Sequence, residues 1–301
     1  MRNPFEPLIL FAALAQLTPA AHAAQPWENA VAAALGKPGT EMPGGVYRVG
    51  LPRTDLHVVL DGVTVKPALA LGSWVAFMRH GNEVVLMGDL VLIDEEVNPV
   101  MKRLLEGGLT ITALHNHLLR AAPHTMYMHV GGMGDGAKMA ATLHAALALS
   151  HTPFPTAPAA NAGSSTLAPA SLEIDTAAID QALGHKGKVN NGVYAVSIPR
   201  ALVPRADGMT IPEAMGSAIA INFQPTGGGK AAIAGDLVLT ADEVNPALRS
   251  LRANGIEVTA LHNHMLDDQP RLFFLHFWAN DDAKKLALSL AAALGHVKLA
   301  K

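Results

Sequence analysis

Apolar and polar positions follow one order of patterns, and they follow it twice. A short stretch of helical spacing opens each round, at Glu28–Leu35 and again at Asp175–Leu183. Alternation of period two then predicts a strand at Val46–Leu51 and at Val193–Ile198, each ended by Pro-Arg. A hairpin-like region leads into an apolar strand, Glu83–Met87 or Ala231–Ala234, which runs on into Gly-Asp-Leu-Val-Leu. A helix follows, with two candidate starts. Thr240 and Glu243 form a capping box, whereas Asn98-Pro99 and Asn245-Pro246 offer Asn as N-cap and Pro at the first helical position. Gly108 and Gly255 end that helix. Strands are expected over Leu109–His117 and Met126–Val130, and over Ile256–His264 and Leu272–Phe277. An alanine-rich amphipathic helix closes each round, at Gly136–Leu149 and Asp282–Leu294. The expected class is α+β: two tandem homologous units, each a mostly antiparallel sheet with packed helices.

The repetition is also one of sequence. Gly88-Asp-Leu-Val-Leu92 returns as Gly235-Asp-Leu-Val-Leu239, Glu96-Val-Asn-Pro99 as Glu243-Val-Asn-Pro246, and Thr112-Ala-Leu-His-Asn-His117 as Thr259-Ala-Leu-His-Asn-His264. The offset is 147 each time, and 22 of the 51 positions in 88–138 are identical in 235–285. Unit boundaries are expected at 24–150 and 171–301, joined by a linker over 151–170 whose Pro, Ala, Ser and Thr content suits an exposed, extended segment.

Residues 1–23 read as a signal peptide: Arg2, an apolar run from Leu8 to Leu17, Pro19, and an A-x-A site at Ala21-His22-Ala23. A periplasmic or secreted location follows as the expectation. No cysteine stands at the cleavage site to take a lipid, and no apolar run is long enough for a membrane span.

Composition narrows the chemistry. The net charge of −3 and the 5% of aromatic residues argue against a nucleic-acid partner. The absence of cysteine excludes disulfides, thiolate metal sites and a cysteine nucleophile. No P-loop, dinucleotide fingerprint, G-x-S-x-G elbow or H-E-x-x-H motif is present.

What remains is histidine. Six of the 14 histidines hold matched positions: His115, His117 and His129, and His262, His264 and His276. Both sets read H-x-H-x11-H. Alternate strand residues share a face, so the first two imidazoles of each set can converge on one ion, with the third brought from a neighbouring strand. Three imidazoles leave a tetrahedral ion one open position. Zinc suits this ligand set best; copper, nickel and iron remain open. Glu96 and Glu243 are the matched candidates for a catalytic general acid or base acting on a small polar substrate, in a metal-dependent hydrolase or lyase. The alternative is a non-enzymatic ligand-binding or structural module in which the histidines serve hydrogen-bond networks. Arg53 and Arg200 read mainly as salt-bridge residues, Asp89 and Asp236 as turn residues, and Asn116 and Asn263 as structural.

These motifs, Gly-Val-Tyr with Pro-Arg, Gly-Asp-Leu-Val-Leu, Glu-Val-Asn-Pro, Thr-Ala-Leu-His-Asn-His and Leu-His-Phe, resemble those of the LppY/LpqO family of bacterial proteins, whose module is a domain of unknown function. The first unit departs at Met128-His129-Val130, where the second has Leu-His-Phe. The resemblance implies the tandem architecture and an exported protein, but no reaction. The H-x-H plus distant His spacing is similar, as spacing alone, to that of the zinc enzyme acetolactate decarboxylase and the small plant-and-prokaryote-conserved domain.

Overall fold

The computed structural model describes residues 25–154, 172–206 and 208–300. The expected signal peptide, and the linker from 155 to 170, lie outside the described residues.

The first unit opens with α1 (Pro26–Leu35) and strands β1 (Thr40–Met42), β2 (Val46–Pro52), β3 (Gly72–His80) and β4 (Glu83–Ile93). Helix α2 (Asp94–Glu106), strands β5 (Thr110–His115) and β6 (Thr125–Gly134), and helix α3 (Gly136–Leu147) complete it. The second unit repeats the order: α4 (Thr176–Leu183), β7 (Lys188–Asn190), β8 (Val193–Ile198), β9 (Ile219–Gly227), β10 (Lys230–Leu239), α5 (Ala241–Ala253), β11 (Glu257–His262), β12 (Phe273–Asp282) and α6 (Ala283–Leu294). Each unit forms a six-stranded sheet, in the order β1-β2-β3-β4-β6-β5 and, equivalently, β7-β8-β9-β10-β12-β11. Every pairing within the two sheets is antiparallel. The α+β class and the tandem architecture are therefore those expected.

Local chemistry explains the helix ends. Asp135 accepts from the backbone of Ala137 and Lys138, and Asp282 from that of Lys285, so each closing helix starts on an aspartate cap. Of the two candidate starts for the middle helix, the capping box is used. Glu243 Oε2 accepts from Thr240 N at 2.9 Å, and Glu96 Oε2 from Ile93 N at 3.0 Å. Pro99 and Pro246 consequently lie inside α2 and α5.

Each sheet is covered on both faces. Along β4, Val84, Leu86, Leu90 and Leu92 pack with Val31, Leu35, Met139 and Leu143 of the helices. The alternate residues turn the other way: Val85 joins the core of the second unit, and Val91 joins a cluster with Tyr127, Ala232, Ala234 and Trp278. Burial on both sides is why the Gly-Asp-Leu-Val-Leu strands read as near-continuous apolar runs. The segment between β2 and β3, with a helical turn at Pro67–Ala70, ties the units together. Asn222 Nδ2 donates to Leu69 O at 3.0 Å, and Gln224 accepts from Lys66 N and donates to Thr64 O, both at 2.8 Å. The faces of the two sheets turned away from their helices thus meet, and the matched histidines lie where they meet.

Candidate metal centre

Register places the site. In the first sheet Trp74 opposes Asp89, Asp89 opposes His129, and His129 opposes Ala113, giving one cross-strand row. The second sheet carries the row Ala220, Asp236, His276, Ala260. Residues directly opposed across strands project to the same face. His115 and His262 end β5 and β11. His117 and His264 stand just past those strands, correcting the expectation that each H-x-H lies wholly in a strand, yet the paired rings remain 5.0 and 4.9 Å apart.

All six imidazoles form one cluster across the pseudo-twofold. His115 stacks on His262 with centroids 3.5 Å apart, His117 on His276 at 3.6 Å, and His129 on His264 at 3.8 Å. Tyr127 and Phe274 cover the outer rings of His117 and His264, both at 3.4 Å. The donor atoms of His115, His117 and His276 lie within 4.8 Å of one another, as do those of His129, His262 and His264 together with His115. Adding 147 to 115, 117 and 129 gives 262, 264 and 276, so 115/117/276 and 262/264/129 are symmetry mates. Each H-x-H pair therefore meets the third histidine of the other unit. The spacing alone does not fix whether a triad closes within its unit or across the pseudo-twofold; in the structure His117 lies against His276, at 3.6 Å, and not against His129.

The polar atoms in this cluster lack partners. Among the described residues, Nε2 of all six histidines is buried without a hydrogen bond, as are His262 Nδ1 and one oxygen each of Asp89 and Asp236. Among the described residues, two of these six rings contact a backbone carbonyl: His115 Nδ1 with Asn116 O at 3.2 Å, and His276 Nδ1 with Gly235 O at 3.0 Å. Both place the proton on Nδ1 and leave the Nε2 lone pair free. Asp89 and Asp236 sit mid-strand rather than in turns. His129 Nε2 is 3.8 Å from Asp89 Oδ1, and His264 Nε2 is 3.9 Å from Asp236 Oδ2. That is too long for a hydrogen bond. Two ligands on one tetrahedral ion stand about 3.3 Å apart, so a small contraction suffices.

Electrostatics agree. Burial pushes the His115 pKa down to about 4, against the pull of its bond to Asn116 O, and the His276 pKa down to about 3. His117, His129, His262 and His264 are also lowered, first by burial and then by neighbouring histidines. All six are therefore neutral at neutral pH, the form of imidazole that can ligate a metal ion. Burial raises Asp89 to about 7, with Arg48 pulling the other way, and raises Asp236 well above the carboxylate range, with Asp89 adding to the effect. Two buried carboxylates and six free lone pairs form a site deficient in positive charge.

Glu96 and Glu243 are elsewhere. Arg53 donates to both oxygens of Glu96, at 2.7 and 3.0 Å, and the backbone of Ile93 and His151 completes the shell. Glu243 has the matching arrangement with Arg200, Thr240 N and Lys298 N. Burial alone would raise both pKa values, but these donors outweigh it and hold them low. A carboxylate so occupied is a poor general base, so the catalytic expectation for Glu96 and Glu243 is replaced by a structural one: they cap α2 and α5 and bind Arg53 and Arg200. The salt-bridge reading of the two arginines agrees with this.

Sequence reasoning took Asp89 and Asp236 for turn residues, although a charge inside an apolar strand was visible in Val-Val-Leu-Met-Gly-Asp-Leu-Val-Leu-Ile. It passed over Arg48. With Trp74 it lines a cavity of about 1040 Å³ that reaches Asp89, Asp236, His117 and His276. Among the described residues, no helix is long and apolar enough to cross a membrane.

Residues 29–149 and 177–296 each match one family model, described as a Domain of Unknown Function (DUF1259). No curated protein matches the chain. Among solved structures, the chain is similar to the trimeric bacterial microcompartment shell protein PduB, at 11% identity and a TM-score of 0.23 over 86% of this chain and 89% of that one. It is similar also to the double-ringed trimeric shell protein MSM0271 from the RMM microcompartment, at 10% identity and a TM-score of 0.20 over 73% and 85%. EtuB from Clostridium kluyveri gives 10% and 0.20 over 86% and 89%. TM-scores this low give no ground for transferring fold or function.

Proposed function

The chain belongs to this family of unknown function, with its domain present twice in tandem, and we propose that its activity resides in a transition-metal centre shared by the two units. The observation that supports this is the set of orphaned Nε2 atoms, one on each of six buried histidines. A buried polar group without a partner costs about 1–3 kcal/mol, and a hydrogen-bond network would have removed that cost. The ligand sets are His115, His117 and His276, and His129, His262 and His264, with Asp236 able to join His264 and His276. Zinc is the leading ion, because six neutral imidazoles with no thiolate suit it.

A bound dication would polarise a carbonyl or acidify a water in the adjoining cavity. Asp89 and Asp236 then hold the position of general acid and base, because they line the cavity and adjoin the ligands. Hydrolysis or lyase chemistry on a small polar molecule is the reading that fits. The signal-like segment and the resemblance to LppY/LpqO proteins support an exported, periplasmic or secreted location.

The test is elemental analysis of the purified mature chain after incubation with zinc, beside His115→Ala/His262→Ala. One or two equivalents in the wild type, lost in the variant, support the centre. A metal-free wild type with a merely less stable variant would make the histidines structural.

A further inference from the structure

The two units differ at one part of the shared cavity. In the first sheet, the row leading to Asp89 and His129 begins with Trp74, and Arg48 lies two residues from Gly50, which opposes Trp74. The equivalent positions of the second unit hold Ala195 and Ala220, the latter opposite Asp236. The first unit thus has arginine on tryptophan where the second has two alanines, of which Ala220 lines the cavity. The pseudo-symmetry that the histidines obey is broken here, which leaves room beside the centre and a cation on one side of it.

Arg48 is held for the purpose. Its guanidinium carbon lies 3.9 Å from the Trp74 ring centroid, and NH1 donates to Ala214 O at 2.6 Å. Its remaining donors make no hydrogen bond to protein among the described residues. It is not within ion-pair distance of Asp89, although both line the cavity. A planar guanidinium fixed by stacking, with one edge tethered and the other free, matches the fork of a carboxylate. The ionisable carboxyl and basic groups that face the space are Arg48, Lys66, Asp89, Asp236 and Glu213, and Arg48 is the cation stacked on the tryptophan.

We propose that the cavity binds a small carboxylate-bearing molecule, its carboxylate on Arg48 and an adjacent hydroxyl or carbonyl oxygen directed to the histidine centre. This deepens the metal-centre reading and rests on it. The row geometry supports the span. Adjacent strands are roughly 4.8 Å apart, so Trp74 to His129 crosses about 10 Å, and Arg48 reaches back over part of it. A two- to four-carbon hydroxy or oxo acid fits the remainder, with a hydrogen bond of about 2.8 Å at its carboxylate end and a metal–oxygen bond of about 2.1 Å at the other.

The probe is glycolate, with uncharged glycolamide as its isostere, titrated into the full chain loaded with cobalt(II) and read by the visible spectrum. Glycolate is expected to perturb the spectrum at a concentration at least ten-fold lower than glycolamide. Arg48→Ala should weaken glycolate by roughly 10- to 100-fold, the loss of a charge-assisted pair, and leave glycolamide unchanged. Arg48→Lys, which keeps the charge and loses the fork, should fall between. Cobalt content and thermal midpoint of each variant separate a binding defect from a disturbed fold. Cobalt bound at wild-type level, with glycolate and glycolamide alike or glycolate indifferent to Arg48→Lys and Arg48→Ala, overturns the carboxylate site alone. A wild type that takes up no cobalt overturns the metal reading, and this inference with it.

Discussion

His115 and His262 stack face to face, with ring centroids 3.5 Å apart and planes inclined by 23°, across 147 positions of sequence. Their equivalence under the repeat makes this the one imidazole contact that maps onto itself. The other two close contacts, His117 with His276 and His129 with His264, exchange under it. The two candidate ligand sets therefore adjoin at this pair.

The exchange of third ligands gives the first prediction. His117 and His276 belong to one set, so His117→Ala/His276→Ala should lose no more metal than either single variant. His117→Ala/His129→Ala cuts both sets and should lose nearly all. Metal stoichiometry of the four proteins checks it, and the reverse ranking would restore triads closed within each unit.

Metal should also stabilise. A ligand that binds only the native state at a thousand times its dissociation constant contributes about 4 kcal/mol. Zinc is expected to raise the thermal midpoint and a chelator to reverse the gain. An unchanged midpoint in both directions argues against occupancy of the cluster.

The apo protein should be acid-sensitive. Below the ordinary histidine value of 6.5, the unfolded chain binds protons that His115, held at about 4, refuses in the native state. Stability is thus full above 6.5 and falls as pH drops towards 4, by on the order of 3 kcal/mol from this residue. Asp89, raised from 3.8 to about 7, acts the opposite way: its contribution is full below 3.8 and is lost as pH rises to 7. Six lowered histidines outnumber two raised aspartates, so the maximum should lie near pH 6.5. Urea melts of apo protein from pH 4 to 8 measure it, and a maximum at pH 4 would contradict the burial of the imidazoles.

Glu96→Gln should behave as a structural lesion. It removes one of the two carboxylates paired with the fully buried Arg53 and leaves Asp55 as the other, a loss of about 1–3 kcal/mol. Denaturation midpoints should fall while metal content holds. A stable protein with altered metal content would return Glu96 to the centre.

Gly235→Ala tests the motif beside Asp236. A Cβ there would lie 2.2 Å from Ala220 O and 2.7 Å from Phe277 Cζ, whereas one at Gly50 meets nothing within 4 Å. Overpacking of this kind costs at least about 1–3 kcal/mol. The Gly50→Ala control should lose much less, and equal losses would deny that the glycine is kept for close approach.

Much of this was legible in the chain. The repeat exposed the two units, period-two and helical spacing found nearly every long element, and the paired histidines marked the site. What was hidden depended on tertiary arrangement. Which histidine completes which pair is set by how two sheets face each other, and no spacing records that. Glu96 and Asp89 were read in reverse because a helix start suggests an accessible carboxylate, and a Gly-Asp step suggests a turn. Arg53 and His151, distant in sequence, occupy the first. Strand pairing on both sides buries the second.

Because each H-x-H meets its third histidine in the opposite unit, neither half of this protein holds one of the three-histidine clusters by itself. A one-domain chain of the same design would assemble the cluster only by meeting a second copy, and would lose it on dilution. Covalent joining makes that encounter intramolecular. The cluster in the two-unit chain then forms whatever the concentration of the protein.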